Sequence, residues 1–136
     1  MEMDMKDENK PIRKRLLPEG WRPITFSRCS DEEKSKAGNN QYIIGVRDDE
    51  TAYEDNVYAV SEPKKRWFLK NILDVCGVQH ENGVYKFEKP LKEIIPGKKA
   101  MALYEHQENS YINREGNKVE GKQHRIVEFQ EQEWDR

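Results

Sequence analysis

Apolar and polar residues alternate with period two in several short stretches of the chain, and once with the period of a helix. Ile24 and Phe26 alternate with Thr25 and Ser27, which predicts a first strand over Trp21 to Arg28. Tyr42, Ile44 and Val46 fall on one face of a second strand, Gln41 to Arg47, with Gly45 marking a bulge or a close backbone approach. Val57 and Ala59 share one face of a third strand, Tyr53 to Val60, with Asn56, Tyr58 and Val60 on the other. From Ser61 to Gly77 the pattern changes. Phe68, Leu69, Ile72, Leu73, Val75 and Cys76 recur at helical spacing. Ser61 suits a cap, Glu62 and Pro63 suit a first turn, and Gly77 suits the left-handed position past the end.

Beyond the helix, Asn82-Gly83 is a hairpin signal. Pro90 to Ile95 has room for one or two helical turns, stopped by Pro96-Gly97. Lys99 to Gln107 reads as a fourth strand and Lys122 to Phe129 as a fifth. Between them Glu108 to Gly121 is a long polar stretch, expected to be a functional projection or an extended hairpin. Three strands, one central helix and two strands is the order of a mainly β fold, an OB-like five-stranded Greek-key barrel with its helix between strands three and four. An unrelated α+β sheet with one helix is the competing architecture. The expected domains are a flexible arm over residues 1–19, the OB-like domain over 20–129 and an acidic, aromatic tail over 130–136.

Composition limits the core. Of 136 residues, 35% are hydrophobic and 37% charged, and the mean hydropathy is -1.11. No apolar run has the length of a membrane span, and Cys29 and Cys76 make no disulfide framework, so a soluble protein of a reducing, cytoplasmic interior is expected. The net charge of -2 is unevenly spread. Residues 1–8 and 128–136 each carry -3, which leaves +4 on the body between them. A cationic surface with acidic ends suits a polyanionic ligand; a near-neutral domain with ordinary charged ends is the plainer reading.

Several segments carry a resemblance: Leu17-Pro-Glu-Gly20, Lys34-Ser-Lys-Ala-Gly-Asn39, Arg66-Trp-Phe-Leu-Lys-Asn-Ile-Leu-Asp-Val-Cys-Gly77, Pro96-Gly-Lys-Lys99 and Gly121-Lys-Gln-His-Arg-Ile-Val-Glu-Phe129. In these the chain resembles a small phage-encoded family of unknown-function domains that is similar to single-stranded-DNA-binding proteins of replication and recombination. The resemblance spans residues 17–129 and implies an OB-like barrel that binds single-stranded DNA.

Such binding needs cations along a groove and flat faces on which bases stack. The candidates are Lys34 and Lys36 in the first loop, Arg47 on the second strand, and Tyr53 and Tyr58 on the third. Tyr111, Arg114, Lys118 and Lys122 add a second group in and beside the long polar stretch. Against this, Tyr53 and Tyr58 also suit half-buried sheet positions, and loop charges are often only solvated. Lys64, Lys65, Arg66 and Lys70 extend the cationic track or simply form a solvated helix face; Trp67 is expected to pack partly against the barrel. Glu131, Glu133, Trp134 and Asp135 form a tail able to recruit replication or recombination partners, or a frayed end. A homo-oligomer joined through strand edges fits an incompletely closed barrel.

No enzyme signature emerges. The cysteines and histidines lack metal-ligand spacing, and there is no phosphate loop or nucleophile elbow, so no catalytic residue, metal or cofactor is expected. The rival to DNA binding is a protein-interaction module that recruits or inhibits a nuclease or recombinase.

Overall fold

The computed structural model describes residues 2–3 and 16–132. Its strands are β1 (Gly20–Cys29), β2 (Glu33–Lys34), β3 (Asn40–Asp48), β4 (Glu54–Val60), β5 (His80–Glu81), β6 (Val84–Tyr85), β7 (Lys99–Ile112) and β8 (Lys118–Gln130). Helix α1 (Trp67–Val75) follows β4, and the single turn α2 (Leu91–Ile94) precedes β7. The main sheet is antiparallel. β4 pairs with β3, β3 with β1, β1 with β7, and β7 with β8, while β2 adds a short rung to β3.

The period-two residues point inward as expected. Ile24 and Phe26, Ile44 and Val46, Val57 and Ala59, and Ala100, Ala102 and Tyr104 are buried on one face. Leu69, Ile72, Leu73 and Cys76 of α1 and its end close over them. Phe129 joins the two layers, its ring 5.2 Å from Phe26 and 5.6 Å from Phe68. Opposite Gly45, β1 shifts register between Phe26 and Arg28, so the glycine sits beneath a bulge.

The closed OB-like barrel is corrected. The sheet is open, and among the described residues no backbone ladder joins its outer strands β4 and β8. The reason is visible in what occupies the edges. At Phe129 the free edge of β8 is taken by a side chain of the helix: Asn71 Nδ2 donates to the Phe129 carbonyl at 2.9 Å, and Asn71 Oδ1 accepts from its amide at 2.7 Å. Further along, His124 of β8 reaches Asp55 of β4 at 2.8 Å, so the seam is bridged by side chains.

Two local expectations also change, both at the start of the helix. α1 begins at Trp67 with Arg66 as its N-cap and no side-chain cap. Lys64 has φ +69°, which breaks any helix begun at Ser61, and the Ser61 hydroxyl donates to Glu32 instead. The polar stretch after Gln107 takes the extended-hairpin form of its two expected forms, because β7 and β8 stay paired as far as Ile112 opposite Lys118. That hairpin turns at Asn113, whose Oδ1 accepts from the amides of Glu115 and Asn117, both at 3.0 Å. Its strands are wet on both faces, so they show no alternation to read. The helix end and the small hairpin follow their signals. Gly77 has φ +79° and Val78 N–H closes back on the Leu73 carbonyl, while Asn82 and Gly83 turn β5 into β6.

Candidate functional site

The open side of the sheet is the β4–β8 seam, beside the start of α1. Residues 61–66 turn before the helix, and this leaves Lys64, Lys65, Arg66 and Trp67 exposed together. With no side-chain cap, the first-turn amides of α1 present partial positive charge to the same side. Trp67 lies off the buried stripe of Leu69, Ile72 and Leu73 and is 67% exposed, not packed on the sheet as its position suggested. Its ring stands edge-on against Phe68 at 5.5 Å, which fixes its base while its face stays in solvent.

Trp67 and Tyr58 line one cleft of about 410 Å³ along the seam. Tyr58 is on the outer face of β4, opposite Ile43, and is 57% exposed. Lys65 stands on one flank and Arg125 on the other, with Ile126 and Val127 of β8 as an apolar wall. Asp55 and His124 line the inner end. The aspartate is occupied there by the imidazole.

The sequence candidates divide into five groups. Tyr58 is in the cleft. Lys34 ends β2 and Lys36 is on the turn that leads to β3, which reaches the cleft flank where Lys65 Nζ donates to Asn39 Oδ1 at 3.5 Å. Arg47 is exposed on β3 but separated from Tyr58, because Arg28 crosses the outer face between them to meet Glu54 at 3.8 Å and Asn56. Tyr111, Arg114, Lys118 and Lys122 lie along the far end of the β7–β8 hairpin, where Lys118 pairs with Glu120 at 3.7 Å.

Tyr53 is half-buried, its ring edge-on to His124 at 5.6 Å, which makes it a packing residue. The single cationic groove expected of an OB barrel is therefore not assembled from these nine. Glu131 is exposed beyond β8, while Glu133, Trp134 and Asp135 lie outside the described residues.

Sequence reasoning undervalued three cleft residues. Trp67 directly follows Lys64-Lys-Arg66, and an aromatic abutting three cations was itself a signal. In the sequence Lys65 reads either as an extension of the cationic track or as a solvated helix face. Arg125 was passed over, although its place between His124 and Ile126 puts it on the outward face of β8.

Other chemistry is muted. Burial pushes the Cys29 thiol up to about 11 and the Cys76 thiol up to about 12, so both stay protonated at neutral pH. Among the described residues no three of His, Cys, Asp and Glu gather as metal ligands, and no helix is long and apolar enough to cross a membrane. No family model matches the sequence, and no curated protein matches it. The resemblance to phage-encoded replication and recombination proteins, whose barrel the open sheet overturns, has no support in these comparisons.

Proposed function

We propose that the chain binds an unpaired nucleic-acid strand along the β4–β8 seam, without sequence preference. One observation carries this reading: two exposed aromatic faces, Tyr58 and Trp67, line a single cleft flanked by Lys65 and Arg125. Bases offer a π-face to the rings whatever their identity, and the cations and the uncapped start of α1 meet phosphates. The turn carrying Lys34 and Lys36 extends the positive flank. Both cysteines are free, which suits a reducing cell interior as the place of action.

The test is fluorescence anisotropy of a labelled oligo-dT at two salt concentrations. Binding should weaken steeply with salt, since each phosphate neutralised releases counterion. Trp67→Ala and Tyr58→Ala should each cost about 1–3 kcal/mol, roughly 5- to 150-fold in affinity. Tyr111→Ala, at the far hairpin, should change nothing. Absence of binding at low salt would end this reading.

A second reading, a protein-interaction module, has its own observation. On the other flank of α1, Val84 and Phe87 are exposed at 59% and 45% and share a groove of about 660 Å³ with Trp67. A partner anchored there would bind with little salt dependence, and Val84→Asp would weaken it while leaving oligo-dT affinity unchanged.

A further inference from the structure

Two histidines hold one residue ahead of β1 by its main chain. Leu17 is 1% exposed. Its amide donates to His124 Nδ1 at 3.0 Å, and its carbonyl lies 2.7 Å from His106 Nε2. The two rings come from directly opposed positions of β7 and β8. The segment continues to Glu19, whose carboxylate accepts from the His106 amide at 3.2 Å and lies 3.7 Å from His106 Nδ1.

These contacts assign the protons. A backbone amide can only donate, so His124 Nδ1 must carry its lone pair. The proton of the neutral ring is then on Nε2, which donates to Asp55 at 2.8 Å. A carbonyl can only accept, so His106 Nε2 carries a proton. The two rings therefore respond differently to acid. A protonated His106 keeps its Nε2–H bond to Leu17 and turns its new Nδ1–H toward Glu19. A protonated His124 sets an N–H against the N–H of Leu17, while its Nε2–H stays with Asp55.

We propose that His124 is a proton-operated latch that seats the segment at Leu17 when neutral and releases it when protonated. The surroundings leave this ring as the switching group. From β4 it faces Asp55 and Tyr53, and from β7 it faces Tyr104 and His106. Arg125 is its neighbour on β8, and Glu19 acts on His106. The Tyr104 hydroxyl is buried without a partner among the described residues, and burial, followed by the charge of Asp55, holds that phenol protonated throughout. The latch does not rest on the nucleic-acid reading, although His124 and Asp55 also line that cleft.

Amide hydrogen exchange at Leu17 in the full chain, corrected for intrinsic rate and referenced to Ile24, tests it. Protection at Leu17 should fall at least ~tenfold between about pH 7.5 and pH 5.5, the range in which histidines titrate. His124→Gln offers a carbonyl to Leu17 and an amide to Asp55 at any pH, so its Leu17 protection should stay level. His106→Gln should keep the pH dependence of the wild type. Equal Leu17 protection at both pH values overturns the proposal, and so does a fall that persists in His124→Gln. Should that variant not fold, the ring ¹⁵N shifts of wild-type His124 and the Leu17 protection must share one midpoint. Separate midpoints overturn the latch equally.

Discussion

Replacing Asp48 by asparagine tests how the outer sheet is held. Asp48 is fully buried at the end of β3. Its carboxylate accepts from Arg22 Nε at 2.9 Å and Nη2 at 3.0 Å, and from the Thr51 amide at 2.9 Å and hydroxyl at 2.5 Å. Arg22 is itself only 12% exposed in its side chain. Asparagine keeps the volume but removes the charge and points an NH₂ group at a donor. One half of a buried pair is left uncompensated, and such losses cost about 3–5 kcal/mol.

The Glu50 carboxylate, 3.2 Å from Arg22 Nη2, keeps a partner on the guanidinium and places the expected value near the lower end, about 3 kcal/mol. Urea denaturation at neutral pH reads it directly. Arg22→Met with Asp48→Leu should lose less than Asp48→Asn alone, since no buried charge is then stranded. A loss under about 1 kcal/mol for the single change would refute the argument.

The pH dependence has a definite sign. Burial alone would raise the Asp48 carboxyl, but the hydrogen bonds from Arg22 and Thr51 outweigh it and hold the group below the ordinary carboxylate value. Its contribution is complete above the unfolded-state pKa and is lost as pH falls through the folded one. The stability gap between wild type and Asp48→Asn should be level above about pH 5 and narrow below about pH 4.

Three further outcomes follow from other contacts. In Gly45→Ala the added Cβ would lie 2.4 Å from Ser27 Oγ and 2.7 Å from both Arg28 Cγ and Glu54 Oε1. Those side chains must move apart, and a loss of about 1–3 kcal/mol in urea is expected; a neutral result would mean that they part freely. Asn71→Ala strands the amide and carbonyl of Phe129 and should cost about 1–3 kcal/mol, with faster exchange of the Phe129 amide as its signature. Unchanged exchange there would show that the strand edge finds another partner. Arg125→Ala should leave stability within about 0.5 kcal/mol, because the side chain is exposed, while lowering the salt slope of oligo-dT binding by about one. An unaltered slope would remove Arg125 from the interface.

Much of the strand and helix pattern was legible because one-sided burial writes it into the chain. Ile24 and Phe26, Ile44 and Val46, and the stripe from Leu69 to Cys76 each repeat at the period of the element that buries them. The Asn82-Gly83 turn and the Gly77 helix end are legible for a different reason, since they need backbone angles that few residues adopt. Closure was not legible. Whether β4 meets β8 depends on Asn71 taking the edge of Phe129 and on His124 reaching Asp55, contacts 58 and 69 residues apart in sequence. The extension of β7 and β8 to the Asn113 turn was legible only as one of two forms open to the polar stretch, because Glu108, Ser110 and Lys122 are polar on strands that bury little. Of the candidate site, the sequence exposed the residue types but not their company. Tyr53, just before β4, and Tyr58 within it are the same residue type, but they sit five residues apart and so on opposite faces, and only Tyr58 stands exposed in the cleft.

The open seam ties these observations together. In a closed barrel, a β4–β8 ladder would satisfy both edges and would leave Tyr58 and Trp67 on separate surfaces. Here the edges are met by side chains instead. Asn71 serves Phe129, and Asp55 serves His124, whose other nitrogen serves Leu17. Each substitute bond is made by a group that could be withdrawn without breaking a ladder. The cleft therefore lies where side chains, and not a backbone ladder, join the outer strands of the sheet. The charge layout agrees with this. Asp48, deep in the sheet, is fully compensated by Arg22 and Thr51, while Lys64, Arg66 and Arg125 stand exposed around the seam. Lys64, Arg66 and Arg125 are the cations that the proposed binding of an extended polyanion would use.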